Sequence, residues 1–245
     1  MSRKLVVGDI HGGFMALLEI LEKAGVTEKD QIIFLGDYVD GWSQSPEVID
    51  LLIKLGQNQD CVFIRGNHDQ LFLDWLESNN ENINEEMWFK HGGKATVEAY
   101  KTISIEKKRE HIQFLKSLRN YYLDESNNLF VHAGFTNMHG VTHEYFQKTL
   151  YWDRTLWETV LCMKEDLEEQ SPFYPKRLTN YNEIYIGHTP VTRIGASTPQ
   201  KYANVWNMDT GAAFKGALTI MDIKTKEIWQ SQPLPKLYPL EKGRN

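Results

Sequence analysis

The sequence predicts an α/β protein in which two mixed β-sheets pack together as a central β-sandwich flanked by helices. Two observations carry that expectation. Through the first half, apolar runs of strand length alternate three times with segments of helical spacing, as in a mainly parallel sheet covered by helices. From Tyr121 onward the pattern changes to short strand-like runs separated by turn residues. Neither a Pro/Ser-rich linker nor an internal repeat divides the halves. Residues 1–232 therefore read as one domain, and 233–245, with Pro233, Pro235 and Pro239, as an irregular tail.

Each element has its own signal. Leu5-Val-Val-Gly-Asp-Ile-His-Gly12 is a strand that ends in Gly-Asp, and residues 13–25 form a helix stopped by Gly25. The strand Ile32-Ile-Phe-Leu follows, then a helix that Pro46 opens and that runs to about Leu55, with Gly56 just past its end. Cys61-Val-Phe-Ile64 is the third strand; after the turn at Gly66 a helix runs from Asp69. Residues 78–86 are polar and loop-like, and helices are expected at 94–101 and 106–118. Residues 121–132 read as a hairpin around an Asn-rich turn, and 143–170 as a charged helical insert. Strands are expected in 184–189, 202–208, 217–223 and 227–230, with Lys224-Thr-Lys226 as a hairpin turn.

Composition bounds the function. The 245 residues are 41% hydrophobic and 24% charged, with a formal net charge of −6. That balance offers no general basic surface for nucleic acid or membrane, so an anionic substrate needs local positive charge. Cys61 and Cys162 are the only cysteines, which fits a reducing compartment without disulfides. No stretch approaches the length of a membrane span and the N-terminus lacks an apolar leader, so a cytoplasmic protein is expected.

The chemistry lies at strand ends. The three early units deliver Asp9, His11, Asp37, Asp40, Asn67 and His68 to one rim, the carboxyl edge where open α/β sheets hold ligands. Two later runs, Val131-His132-Ala-Gly134 and Gly187-His188-Thr189, place a histidine in the same way. Carboxylate oxygens and neutral imidazoles suit Mn²⁺, Fe²⁺ or Zn²⁺, and the lack of thiolates argues against a structural zinc. Asp9, His11, Asp37, Asn67, His132 and His188 are too many for one four-coordinate ion. They fit two ions sharing one carboxylate, for which Asp37 in the central motif is the natural bridge. Two ions held that way suit in-line phosphoryl transfer.

Gly8-Asp-x-His-Gly12, Gly36-Asp-x-x-Asp40, Gly66-Asn-His-Asp69, His132-Ala-Gly134 and Gly187-His188 together resemble the calcineurin-like metallophosphoesterases, and more narrowly the phosphoprotein-phosphatase branch with its small bacterial and phage members. Trp88-x-x-x-Gly92-Gly93, Trp152-Asp-Arg154 and Met208-Asp-Thr-Gly-Ala212 extend the likeness over residues 4–223. The resemblance implies a four-layer fold and two divalent ions, with Mn²⁺ preferred. It implies that Asp9 and His11 bind one ion and Asn67, His132 and His188 the other, with Asp37 shared. His68 becomes the general acid, oriented by Asp40, and Arg154 and Asn67 contact the substrate phosphate. The expected activity is hydrolysis of phosphomonoesters, foremost phosphoserine and phosphothreonine in proteins, by in-line attack of a hydroxide that the two ions share. Symmetrical hydrolysis of diadenosine tetraphosphate is the alternative, and a non-catalytic scaffold a distant third. The partner is thus a phosphorylated protein or small phosphoester; oligomeric state stays open.

One departure stands out. Relatives carry an arginine directly after the second Asp of Gly-Asp-x-x-Asp, whereas this chain has Gly41 followed by Trp42. One of two phosphate-gripping arginines is therefore missing. His91, His111, His139 and His143 lie away from strand ends and read as solvated or structural, with His139 the one that could edge the site.

Overall fold

The computed structural model describes residues 2–77 and 85–244. The strands are β1 (Lys4–Val7), β2 (Gln31–Phe34), β3 (Cys61–Phe63), β4 (Tyr121–Leu123), β5 (Leu129–Val131), β6 (Ile184–Ile186), β7 (Gln200–Tyr202), β8 (Val205–Asn207), β9 (Thr219–Asp222) and β10 (Ile228–Gln230). The helices are α1 (Phe14–Lys23), α2 (Ser45–Asn58), α3 (Asn67–Glu77), α4 (Glu85–Trp88), α5 (Lys94–Ala99), α6 (Ile105–Ser117), α7 (Thr149–Trp152), α8 (Thr155–Cys162) and α9 (Leu234–Leu237). Two mixed five-stranded sheets result, ordered β10-β9-β1-β2-β3 and β4-β5-β6-β8-β7. In each sheet three parallel strands lie adjacent (β1, β2 and β3; β5, β6 and β8) and hairpin partners pair antiparallel.

Alternation along the strands builds the layers. Leu5 and Val7 face α1 and α2 in the largest core cluster, while Val6 turns the other way and meets Phe130, Tyr185 and Met208 of the second sheet. The inter-sheet core also holds Ile33, Val62 and Met221. On the far side of the second sheet, Leu129, Val131, Ile184 and Ile186 pack against Leu150, Leu156, Trp157 and Val160 of α7 and α8. Helices thus cover both outer faces, as expected. Ser104 caps α6, its hydroxyl accepting from the Lys107 N–H at 3.2 Å.

Several local expectations need correction. Helix α2 runs through Gly56 to Asn58; a Cβ on Gly56 would lie 2.9 Å from the Phe63 ring, so glycine permits close helix–strand packing there. The loop expected over 78–86 lies outside the described residues except at Glu85 and Glu86, which are helical. The α-helices of the insert at 143–170 are the short α7 and α8, and residues 163–170 are turns and bends. Residues 202–208 do not form one strand. Ala203 adopts φ 50° and the chain reverses, leaving β7 and β8 as a hairpin whose turn Asn204 anchors to the Leu178 and Tyr181 carbonyls.

The Pro-rich end is not irregular throughout. It forms α9, buries Leu234 and Tyr238, and stacks Tyr238 on Trp42 with ring centroids 5.1 Å apart. Among the described residues no helix is long and apolar enough to cross a membrane.

Candidate metal centre

The strand ends converge at the carboxyl edges of both sheets. Asp9 and His11 follow β1, Asp37 and Asp40 follow β2, Asn67 and His68 begin α3, and His132 and His188 follow β5 and β6. All eight are buried. Four of them, His11 (φ 52°), Asp37 (φ 52°), Asp40 (φ 71°) and His188 (φ 68°), take a left-handed backbone that costs non-glycine residues about 1–3 kcal/mol each. Such strain at one spot points to a site held in place by its surroundings. Asp69 supplies one brace, accepting from the N–H groups of Gly66 (2.8 Å), Asp37 (2.8 Å) and Tyr38 (2.7 Å).

Two groups of three ligand atoms form there, Asp9–His11–Asp37 and Asp37–His132–His188. Both contain Asp37. The histidines are set by their second nitrogens. His132 Nδ1 lies 2.8 Å from the Leu35 carbonyl and donates to it; His11 Nδ1 lies 3.1 and 3.0 Å from the Val39 and Asp40 carbonyls and donates there. With those tautomers each Nε2 presents a lone pair. His132 Nε2 faces Asn67 Oδ1 at 3.2 Å and Asp37 Oδ1 at 3.4 Å, and His11 Nε2 faces Asp37 Oδ2 at 3.5 Å. Lone pairs turned on one another at those distances repel unless a cation lies between. Bonds of about 2.0–2.2 Å to an ion fit such separations. Buried Asp9 Oδ1 and His188 Nε2 have no hydrogen-bond partner among the described residues. Nor could the cradle be filled by side chains: a Cβ on Gly66 would sit 2.1 Å from Asp37 Oδ1, and one on Gly187 2.0 Å from Asp9 Oδ1. The residues therefore fit two divalent ions.

Electrostatics agree with the donor set. Burial pushes the pKa values of His11 and His188 well below the ordinary imidazole range, which keeps them neutral and able to ligate. Burial also disfavours a charged His132, yet Asp37 and Asp9 outweigh it and raise the group to about 10. Without an ion the carboxylates thus draw a proton to His132 Nε2, the nitrogen from which a bound cation would displace it.

His68 and Asp40 form a pair beside the two groups. His68 Nδ1 donates to Asp40 Oδ2 at 2.7 Å, and the His68 backbone N–H donates to Asp37 Oδ1 at 3.0 Å. Asp40 is held by two further donors, Trp88 Nε1 at 2.5 Å and the Thr96 hydroxyl at 2.6 Å.

A cleft of about 400 Å³ opens above the centre, lined by His11, Asp37, Asn67, His68 and His188 together with Lys90, Arg154, Arg193 and Arg244. Arg154 sits just ahead of α8 and donates to Thr189 Oγ1 at 2.8 Å. Burial, Arg193 and Arg244 all lower its pKa, the latter two by like-charge repulsion that an anion would relieve. Other histidines and arginines have different surroundings. His139 is exposed against His143; Arg177 is tied to the Phe135 and Thr155 carbonyls; Arg65 braces its turn against Gln70 and the Leu118 carbonyl. His111 is buried between Tyr100 and Asp50 as a structural residue, whereas His91 reaches the cleft.

Sequence reasoning assigned no role to Trp88 and Thr96, which hold Asp40, or to Asp209 and Arg244, which line the cleft. Trp88 and Asp209 stood in segments that matched the phosphatase pattern, and a tryptophan placed before Gly92-Gly93 was the available clue. A Cβ on Gly93 would meet the Trp88 ring at 2.3 Å, so glycine there lets the indole reach Asp40. Removing that donor by Trp88→Phe should lower kcat about 10-fold or more with little change in KM, the scale of one lost hydrogen bond to a charged group. Steady-state kinetics at fixed Mn²⁺ would read it.

A two-sheet sandwich with two carboxylate–imidazole groups sharing one aspartate at its strand ends is the frame of a metal-dependent phosphoesterase. Residues 2–213 match the calcineurin-like phosphoesterase family, and the chain belongs to it. It is 30% identical to the asymmetrical bis(5′-nucleosyl)-tetraphosphatase PrpE of Anoxybacillus flavithermus, over 98% of this chain and 97% of that protein. It is 26% identical to serine/threonine-protein phosphatase 1 of Salmonella typhimurium, over 89% and 91% respectively. Among solved structures, a protein serine/threonine phosphatase from Saccharomyces cerevisiae superposes with a TM-score of 0.61 at 18% identity, covering 94% of this chain and 80% of that one; this likeness is one of fold.

Proposed function

We propose that the protein hydrolyses phosphoesters at a dinuclear centre held by Asp9, His11, Asp37, Asn67, His132 and His188, with His68 as general acid. The observation that carries this is Asp37 lying in both ligand groups with the His68–Asp40 pair beside it. Divalent ions bound there would lower the pKa of a shared water and neutralise phosphate oxygens. The chain's own residues do the rest. Asp40 accepts from His68 Nδ1, which holds the ring in place. Nε2 of His68 is then left to give a proton to the leaving oxygen. Arg154, which hydrogen-bonds Thr189 beside His188 and lines the cleft, grips non-bridging oxygens. Asn67 stands where it can contact both an ion and the phosphate. Donors O and N with no thiolate favour Mn²⁺, with Fe²⁺ and Zn²⁺ as alternatives.

For the substrate, the lining cations Lys90, Arg154, Arg193 and Arg244 favour a ligand with more than one phosphate, in keeping with the relatives named as tetraphosphatases. A phosphoserine or phosphothreonine protein is the second reading, favoured by the full-length likeness to serine/threonine-protein phosphatase 1. Mn²⁺-supplemented turnover of diadenosine tetraphosphate, a phosphothreonine peptide and p-nitrophenyl phosphate, measured side by side, separates them. Products of the first distinguish asymmetrical cleavage (ATP and AMP) from the symmetrical outcome (two ADP). Turnover of none of the three in metal-loaded protein would refute the proposal. Arg154→Ala should cost ~10²-fold in kcat/KM, the scale of one preorganised donor, and Arg154→Lys should recover only part. A loss within about threefold would remove Arg154 from the phosphate clamp.

A further inference from the structure

The arginine missing after Asp40 leaves a gap on one wall of the cleft, and the C-terminal segment comes to that gap. Backbone N–H of Arg244 donates to the Ala213 carbonyl at 2.9 Å, and its guanidinium stands 5.1 Å from the Phe214 ring centroid. The stem of Arg244 lies against Gly41 and Gly92. A Cβ on Gly41 would be 3.5 Å from Arg244 Cγ, and one on Gly92 only 2.9 Å. Gly41 itself takes φ 115°, a backbone that an arginine at this position would strain. So the position that lacks the arginine is shaped to let another arginine pass.

The neighbouring residue holds that segment in place. Trp42 donates to the Ala212 carbonyl at 2.7 Å, stacks on Tyr238, and packs so close to Gly243 that a Cβ there would meet its ring at 2.7 Å. Ser43 donates to Glu241 through its hydroxyl (2.7 Å) and its backbone N–H (3.0 Å), and Tyr238 donates to Gln44 at 2.7 Å. Residues 41–44 therefore form a dock for 238–244. Among the described residues the Arg244 side chain makes no hydrogen bond or ion pair, and its Nε is buried without a partner. A guanidinium aimed at a cleft with a buried, unsatisfied donor is built for an anion.

We infer that Arg244 supplies the second phosphate-binding guanidinium of the site, delivered from the C-terminal segment across Gly41 rather than from the loop after Asp40. The inference rests on the phosphoesterase reading above. It makes the last residues of the chain part of substrate binding, with Arg154 and Arg244 gripping phosphate oxygens from two sides.

The test uses full-length, Mn²⁺-loaded protein. Arg244→Ala, Arg244→Lys and wild type are compared for kcat/KM on whichever of the three substrates wild type turns over, and for inorganic phosphate affinity by calorimetry. Arg244→Ala should lose ~10²-fold in kcat/KM and bind phosphate ~10-fold or more weakly, with metal content unchanged. Arg244→Lys should recover part, and added ethylguanidinium should raise activity of Arg244→Ala alone. A merely structural tail contact would instead lower the melting temperature and leave phosphate affinity and rescue unmoved, which would overturn the inference. So would an Arg244→Ala variant within twofold of an active wild type in both measurements. If wild type neither turns over a phosphoester nor binds phosphate, the phosphoesterase reading falls and this inference with it.

Discussion

Asp37→Asn is expected to lower turnover by ~10³-fold or more, beyond the ~10²–10³-fold that follows loss of one preorganised donor. The reason is its place in both ligand groups. An amide keeps the shape but removes the negative charge that two cations would share, so both ions are held more weakly. The amide oxygen can still accept from the His68 N–H, as Asp37 Oδ1 does, so the loop is kept and the loss is one of charge. Elemental analysis should show metal content falling along with activity. Chelation of wild type should have the same effect, reversed by Mn²⁺ better than by Ca²⁺, since imidazole ligands disfavour the harder ion. If Asp37→Asn retains wild-type metal content and activity, the shared-carboxylate arrangement is wrong.

His68→Asn is expected to divide substrates by their leaving groups. An alkoxide needs a proton as the bond breaks, so an alkyl phosphate should lose ~10²–10⁴-fold. For p-nitrophenolate, a stable leaving group, the loss should stay within about 10-fold. The hydrogen bond from His68 Nδ1 to Asp40 makes the ring a held proton carrier, and Asp40→Asn should act in the same direction. Equal losses on both substrates would assign His68 to binding or structure instead.

The candidate ligands were legible because each follows a short strand, where a local pattern marks it. Asp9 after Leu5-Val-Val, Asp37 after Ile32-Ile-Phe-Leu and His188 after Ile184-Tyr-Ile need no long-range information to be placed at a strand's carboxyl end. Once three parallel strands lie side by side, one rim follows. Helix α2 was legible at its start, from Pro46, but not at its end. Gly56 reads as a stop in isolation and becomes a packing glycine only because Phe63 lies beneath it. The β7–β8 reversal hid inside one apolar and aromatic run, for it depends on Ala203 adopting a positive φ that its residue type does not announce.

Arg244 was not legible at all. Its reach into the cleft depends on Tyr238 stacking on Trp42 and on bare backbone at Gly41 and Gly92, contacts spanning most of the chain length. The sequence did show the other half of that relation, an arginine replaced by Gly41 and followed by Trp42. What it could not show was that the two departures serve the same contact.

Metal stoichiometry with spin coupling is the most direct test of the central claim. Wild-type protein reconstituted with Mn²⁺ should bind two ions per chain by elemental analysis, and its electron paramagnetic resonance spectrum should be that of an exchange-coupled pair, as expected for ions ~3.5–4 Å apart. Turnover should rise with occupancy of the second ion. One uncoupled Mn²⁺ per chain at full activity, or full activity in metal-free protein, would contradict a centre built around Asp37.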